Sequence, residues 1–176
     1  MLDIVLLIVL IALVGLAVAI ARQPNEFEIS RSTLMQAPAA AIFALVNNLR
    51  CWDGWSPWAK LDPQAKNAFE GPESGAGAVM RWAGNNKVGQ GSMTIIDSQP
   101  DSLIRLKLEF LKPFKGKSTA EFNFHPDGEQ TTVTWRMHGE NKLIGKAMNL
   151  VMNCDKMIGG QYEKGLANLK AIVESR

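Results

Sequence analysis

Leu103–Leu111 reads LIRLKLEFL, and this alternation of apolar and charged side chains decides how the chain folds. Side chains two residues apart share one face of a strand, so the segment is predicted to be a strand with one apolar and one polar face. Ser118–Phe124 and Gln130–His138 repeat the alternation, and His125–Gly128 between them is a turn signal. Three such strands in succession predict an antiparallel meander whose apolar face needs a cover.

Earlier segments of the chain predict four further strands and one helix, which follows the first of them. The further predicted strands are Glu26–Leu34, Ala65–Glu70, Ala78–Trp82 and Lys87–Asp97. Gly89 and Gly91 lie inside the last of these, which indicates a bulge or a sharp bend of the sheet. Pro38 is placed to open a helix after the first strand, because proline is tolerated in a first helical turn.

The C-terminal part of the chain has a different periodicity. From Lys142 onward apolar residues recur at spacings of three and four, which predicts one amphipathic helix of about thirty residues or two with a bend. Gly159-Gly160 within it indicates a kink or a close approach of the helix to the sheet. Strands followed by one long helix predict an α+β domain in which the helix covers the sheet.

The N-terminal segment is apolar enough to cross a membrane. Leu2–Ala21 contains only Asp3 and Gly15 as exceptions, and about twenty apolar residues span a bilayer's hydrocarbon core. A cleaved signal peptide is the alternative, because small-x-small sites surround Ala19. The length of the segment and the lack of a preceding Lys or Arg favour an uncleaved anchor. We therefore expect a transmembrane anchor at 1–22, a linker at 23–25 and a folded domain at 26–176.

Charge gives the orientation and excludes one class of partner. Arg22 and Arg31 follow the apolar span and no basic residue precedes it, so the positive-inside tendency places the domain in the cytoplasm. The chain has 19 Lys and Arg against 17 Asp and Glu, and the basic residues form no cluster. We therefore predict no nucleic-acid partner.

Cysteine and histidine usage gives no sign of a metal or cofactor. Cys51 and Cys154 are far apart and indicate no disulfide framework, so two buried thiols are expected. His125 and His138 fall at a turn and on the polar side of a strand, and no CxxC or HExxH spacing occurs. The sequence predicts no metal site and no cofactor.

The segment Arg50–Pro63 is the most unusual of the chain. It contains three of the five tryptophans, Trp52, Trp55 and Trp58, and its glycine and prolines prevent a regular helix. Two roles are open for these indoles. They plug one end of the core with each N–H bonded to backbone, or they form an aromatic rim at the mouth of a pocket.

Several short motifs follow one another in a specific order: Ala37-Pro38 with Ile42-Phe43, Trp52 and Trp55–Trp58, Gly75–Gly77 ahead of Trp82, Gly91–Met93, Thr131–Trp135 and Tyr162–Leu166. In this order, from Glu26 to the end, the chain resembles the START-like polyketide cyclase and lipid-transfer superfamily (SRPBCC), in a membrane-anchored form. The resemblance implies a helix-grip fold, with a curled antiparallel sheet of about seven strands under a long C-terminal helix. It also implies a hydrophobic cavity between sheet and helix. It implies no reaction, because members include carriers, cyclases, hormone receptors and chaperone co-activators.

The strand faces favour binding over catalysis. A cyclase needs a general acid or base that faces the cavity, whereas the ionisable residues of the meander fall on its polar face. The predicted inner face offers only apolar groups and the hydroxyls of Ser92, Thr94 and Tyr162. We therefore expect a membrane-anchored, non-catalytic domain that binds a lipid-like or polycyclic molecule. The alternatives are a polyketide cyclase/dehydratase-like enzyme, and a module with a filled core that binds another membrane protein.

The predicted ligand-contacting residues come from the tryptophan segment, the apolar strand faces and the C-terminal helix. They are Trp55, Trp58, Met80, Trp82, Ile104, Leu106, Leu108, Phe110, Phe122, Phe124, Val133, Trp135, Met137, Leu150, Val151, Ile158 and Tyr162. Among these, Leu150, Val151 and Ile158 are expected to form the lid.

Overall fold

A curled antiparallel sheet forms the centre of the computed structural model, which describes residues 2–151 and 153–175. Its seven strands lie in the order β1-β7-β6-β5-β4-β3-β2. They are β1 (Glu26–Met35), β2 (Lys66–Glu70), β3 (Val79–Ala83), β4 (Gln90–Gln99), β5 (Leu103–Lys112), β6 (Gly116–Asp127) and β7 (Gln130–Glu140). The predicted meander is β5–β6–β7, and β1 joins its edge through β7. The turn comes later than predicted, at Gly128, because His125–Asp127 still pair with β7.

Strand pairing fixes which side chains face inward. Phe122 lies opposite Ile104 on one side and Trp135 on the other, and all three are buried. The bulge predicted near Gly91 is present, and a second register shift follows Ile95. Met93 and Ile95 fill the inner face of β4. Ser92 and Thr94 were expected there but lie on the outer face, because they pair with the outward residues Glu109 and Lys107.

The described residues form five α-helices: α1 (Leu2–Ala21), α2 (Ala39–Asn47), α3 (Trp52–Trp55), α4 (Leu143–Val151) and α5 (Cys154–Glu174). Pro38 occupies the N-cap of α2, as its position predicts. The C-terminal region forms two helices, the second of the two predicted arrangements. α5 begins where the Asn153 side chain accepts a hydrogen bond from the amide of Lys156, at 2.9 Å. Gly159-Gly160 lies within α5, so it does not mark the boundary between the helices.

Helix α5 lies against the concave side of the sheet through small residues. Gly159 sits under the side chain of Arg31 from β1, whose guanidinium binds Asp155 at 2.9 Å and Glu163 at 2.7 Å. These hydrogen bonds raise the pKa of Arg31, and the bond from Arg31 lowers the pKa of Asp155. One turn further along, Tyr162 stacks on Trp135 with ring centroids 4.0 Å apart and planes within 6°. The close approach predicted for this part of the helix is therefore present.

The packing of Gly165 gives a stability prediction. A Cβ at this position would lie 2.8 Å from the Trp135 ring and 3.1 Å from Pro57. Both neighbours are rigid, so we expect Gly165→Ala to lower the free energy of unfolding by about 1–3 kcal/mol through overpacking. Denaturant unfolding followed by tryptophan fluorescence, in one detergent throughout, measures the change.

Gly160→Ala is the matched control for that substitution. No atom lies within 4 Å of its Cβ position, and alanine is the better helix former by up to about 1 kcal/mol. We expect unchanged or greater stability for this variant. Equal effects of the two substitutions would show that α5 does not pack on Trp135 in the way described.

Candidate functional site

An inner cavity of about 330 Å³ lies between the sheet and the segment Trp52–Ala65. Its floor is formed by inward side chains of β3, β4, β5, β6 and β7, and Tyr162 of α5 closes one side. Most of the wall is apolar, and β6 contributes the small side chain of Ala120 to it. The volume falls at the low end of the range of small-molecule sites, which is about 300–1,000 Å³. A compact apolar molecule therefore fits.

The clustered tryptophans divide the two predicted roles between them. Trp55 is fully buried and packs against Phe122 and Trp135, so it plugs the core. Trp58 is half-buried, lines the inner cavity and lies edge-on to Trp135 and Tyr162. Trp52 does both: its N–H donates to the carbonyl of Val46 at 2.9 Å while its ring lines the cavity. The expectation that every indole N–H binds backbone is wrong for Trp55, whose Nε1 has no partner among the described residues.

Two polar groups belong to aromatic residues of the cavity wall. Within residues 2–151 and 153–175, the Nε1–H of Trp135 is fully buried and finds no hydrogen-bond acceptor. Burial raises the pKa of the Tyr162 phenol well above its ordinary value of 10.0. The phenol is therefore neutral at physiological pH and is not a base. Buried donors without partners are uncommon, so the indole N–H of Trp135 is a local cost to stability.

The carboxylates of the cavity wall belong to the loop that covers it. Asp62 accepts hydrogen bonds from the backbone amides of Asn85 and Gln64, at 2.6 and 3.1 Å. Asp53 is exposed and accepts from the amide group of Asn67 at 3.3 Å. Both carboxylates therefore hold the Trp52–Ala65 segment against β2 and the β3–β4 turn.

A second, wider space lies at the other end of α5. This lateral groove, of about 1,150 Å³, runs between the strand ends, the β5–β6 loop, α4 and the first turns of α5. Gln23 and Pro24 of the linker also line it, so it opens beside the end of α1. Phe110 of β5 lines both spaces and separates the inner cavity from the lateral groove. Its ring is held edge-on against Trp82, with centroids 6.0 Å apart.

Comparison with protein families gives one match, over residues 26–174, to the family described as polyketide cyclase/dehydrase and lipid transport. The chain belongs to this family. No curated protein matches the chain.

Several solved structures share the fold of this chain. BexL, a di-domain aromatase/cyclase from the BE-7585A biosynthetic pathway, aligns with a TM-score of 0.62 at 17% identity, over 91% of this chain and 54% of its own. The protein CV1439 from Chromobacterium violaceum aligns with a TM-score of 0.60 at 13% identity, over 86% of this chain and 99% of its own. Aha1 from Colwellia psychrerythraea aligns at 0.59 and 15% identity, over 84% and 96%. At such low identity these likenesses show the fold alone.

The residues predicted to contact a ligand fall into four groups in this family member. Those that line the inner cavity are Trp58, Met80, Trp82, Leu106, Leu108, Phe110, Trp135 and Tyr162. Those that pack in the core away from it are Trp55, Ile104, Phe122, Phe124, Val133 and Met137. Leu150 and Ile158 line the lateral groove, and the side chain of Val151 lies outside the described part of the chain. α4 and the start of α5 thus cover the lateral groove, while the Trp52–Ala65 segment covers the inner cavity.

Sequence reasoning missed several residues of the cavity wall. They are Trp52, Asp53, Ser56, Ala59, Asp62, Pro63, Ala65, Asn67, Val88, Met93 and Ala120. Most belong to the segment Arg50–Pro63. The sequence indicates a plug or a rim for the tryptophans of this segment, but it predicts no role for the residues between them. Ala120 carries the clearest signal that was available, because a small residue among large inward ones leaves space.

No candidate metal site lies in the part of the chain that the structure describes. Residues 2–151 and 153–175 contain no group of three or more His, Cys, Asp or Glu side chains arranged to hold a metal ion. Cys51 and Cys154 are both free, as expected, but they are half-buried rather than buried.

Tyr162 is the single tyrosine of the chain, so its ionisation can be followed by absorbance without assignment. The folded state favours the neutral phenol, so we expect the phenolate signal to appear only well above pH 10, together with unfolding. The contribution of Tyr162 to stability should be constant below pH 10 and should fall as the pH rises beyond it. A reversible titration near pH 10 in the folded protein would contradict the buried position of Tyr162.

Proposed function

We propose that this domain binds a compact, uncharged, hydrophobic small molecule in the inner cavity and does not transform it. The observation that carries the proposal is the cavity itself, an apolar space of about 330 Å³ beneath the Trp52–Ala65 segment. A binding domain needs such a space, whereas an interaction module with a filled core does not. The membership in a family that includes lipid transport supports the same conclusion.

The wall of the cavity favours a neutral, largely apolar ligand. Its aromatic side chains include Trp58, Trp82 and Trp135, which present flat apolar surfaces. An anionic ligand would have to lose its hydration without a compensating ion pair, because the charged residues of the wall are Asp53 and Asp62. The polycyclic class fits these features better than an anionic metabolite does.

An enzyme of the cyclase or dehydratase kind is the second candidate. The specific observation in its favour is that Asp53 and Asp62 line the cavity, and carboxylates can act as general acids or bases. Against it, both carboxylates are engaged in holding the covering loop. Tyr162 is neutral and therefore no base. These contacts favour a binding function.

We further propose that α1 anchors the domain in a membrane, with the domain on the cytoplasmic side. Helix α1 is long and apolar enough to cross a bilayer, and none of its residues is buried against the domain. A signal sequence has the same properties, so detection of the intact N-terminus in the purified protein supports the anchor. An anchor would place the domain next to a reservoir of apolar molecules.

The binding proposal is tested by mass spectrometry of the organic extract of the purified full-length protein. We expect one apolar compound, in about equal amount with the protein, in the wild type. Ala120→Phe fills the cavity and should abolish its recovery. Thr94→Phe, on the outer face of β4 in the same sheet, is the matched control and should retain the compound. Recovery that is unaffected by Ala120→Phe would exclude the inner cavity as the site.

The absence of catalysis is tested in the same experiment. The double variant Asp53→Asn and Asp62→Asn preserves the shape of both side chains but removes their acid–base chemistry. We expect it to yield the same compound as the wild type. A different compound, of the mass expected for an uncyclised or hydrated precursor, would favour the enzyme.

A further inference from the structure

The lateral groove is flanked by two exposed apolar segments that the binding function does not use. One is the end of β5 with the β5–β6 loop, where Leu111 and Phe114 are 50% and 51% exposed. The other is the start of α4, where Leu143 and Ile144 are 71% and 55% exposed. Large side chains exposed in adjacent segments indicate an interaction surface. We call residues 111–115 and 142–146 together the docking face.

Both segments of the docking face are basic. Residues 110–120 contain three lysines and no acidic residue, and residues 141–154 contain two lysines and no acidic residue. Within the described part of the chain, Lys112, Lys115 and Lys142 make no salt bridge, whereas Lys117 is paired with Glu109. The three unpaired lysines therefore point their charge at solvent beside the exposed apolar residues. This combination matches an anionic membrane surface, with apolar side chains below the headgroups and lysines among them.

Helix α4 has the position that such an interaction requires. It contacts α1, whose half-buried residues, Ala19 and Ile20, lie in its last turn. If α1 spans a bilayer, that turn lies at the boundary between hydrocarbon and headgroups. One side of α4 is half-buried, at residues 145–149, while Leu143, Ile144 and Leu150 are exposed on the described part of the helix. A short helix with exposed Leu143 and Ile144 beside flanking lysines is typical of helices that lie in the interface.

The two segments border one opening. Phe114, Ile144 and the linker residues Gln23 and Pro24 all line the lateral groove, so the loop, the helix and the linker after α1 lie around the same space. Four acidic residues also line the groove, and all lie outside the two basic segments: Glu26, Glu28, Glu140 and Asp155. Glu28 and Asp155 are paired with Arg136 and Arg31.

We propose that the docking face binds the surface of an anionic bilayer, with Phe114 and Ile144 inserted below the headgroups. The domain is then held against the membrane at a fixed orientation, with the lateral groove open towards the lipid. This inference rests on the anchor proposed above and is independent of what the inner cavity binds. The other candidates are a second copy of the chain and a membrane protein. The test distinguishes both of these protein partners from a bilayer.

The test measures the depth of nitroxide labels in the full-length chain by their accessibility to oxygen, which is enriched in bilayers, and to a water-soluble nickel chelate. Single cysteines replace Val9, Phe114, Ile144 or Ile96 in a Cys51→Ser and Cys154→Ser background. The proteins are reconstituted in vesicles of phosphatidylcholine and phosphatidylglycerol at about three to one. Val9 reports on the anchor. Ile96, which is 49% exposed on the outer face of β4, is the matched control for Phe114.

We expect the labels at 114 and 144 to have an oxygen-to-nickel accessibility ratio at least about threefold that of the label at 96. If the labels at 114 and 144 have the same oxygen-to-nickel accessibility ratio as the label at 96, the proposal is overturned. Labels shielded from both oxygen and nickel would overturn it too, because they would be covered by protein. If the label at 9 is outside the bilayer, the anchor fails, and the docking face is then contradicted with it.

The role of the lysines is tested separately. The double variant Lys112→Glu and Lys115→Glu should lower the oxygen-to-nickel accessibility ratio of the label at 114 to that of the label at 96. Vesicles of phosphatidylcholine alone should have the same effect on the label when both lysines are unaltered. Lys60→Glu with Lys66→Glu, two exposed lysines outside the docking face, should leave the ratio unchanged. A depth that does not depend on either the two lysines or the anionic lipid would contradict the charge-based part of the proposal.

Discussion

The stack of Tyr162 on Trp135 sets the distance between the long helix and the sheet. The rings are 4.0 Å apart and nearly parallel, and Gly165 lets the helix approach the same indole without a side chain in the way. Arg31 holds the start of the helix over the edge strand through Asp155 and Glu163. Phe122, Trp55 and Trp52 then pack round Trp135 edge-on or stacked, which fills the centre of the molecule. The core under α5 is therefore dense, and the remaining space lies beyond it.

That remaining space exists because some inward side chains beside the centre are small or flexible. Ala120, Met80 and Met93 stand there in place of the aromatic residues of the centre, and the segment Trp52–Ala65, made of short helical turns and loops, covers them. Such a segment leaves backbone amides free for side chains to bind, as the amide of Gln64 binds Asp62. The same chain thus forms a filled core at one end of the sheet and an apolar cavity at the other. Phe110 lies where the cavity meets the groove beside α4.

The strands could be predicted from the sequence because a two-residue alternation belongs to few structures other than half-buried strands. Leu103–Lys112 and Gln130–Glu140 extend at most two residues beyond the predicted segments. The site was harder to predict, because alternation shows which side chains point inward and not which of them meet another side chain. Phe122 and Val133 were expected at a ligand and lie in the solid core, whereas Ala120 was not chosen and lines the cavity. The helix boundary at Asn153 was also missed, since one capping asparagine is a weaker signal than a glycine pair.

The central claim is that the inner cavity holds a small apolar molecule, and methyl NMR of methionine tests it most directly. Met80 and Met93 line the cavity, whereas Met35 is fully buried outside it and is the internal control. Full-length protein with labelled methionine methyl groups is stripped of bound compounds and titrated with naphthalene, an uncharged bicyclic probe. We expect saturable shifts of the Met80 and Met93 resonances while that of Met35 stays fixed. If no methyl shifts, or if all three shift together, the cavity is not a binding site.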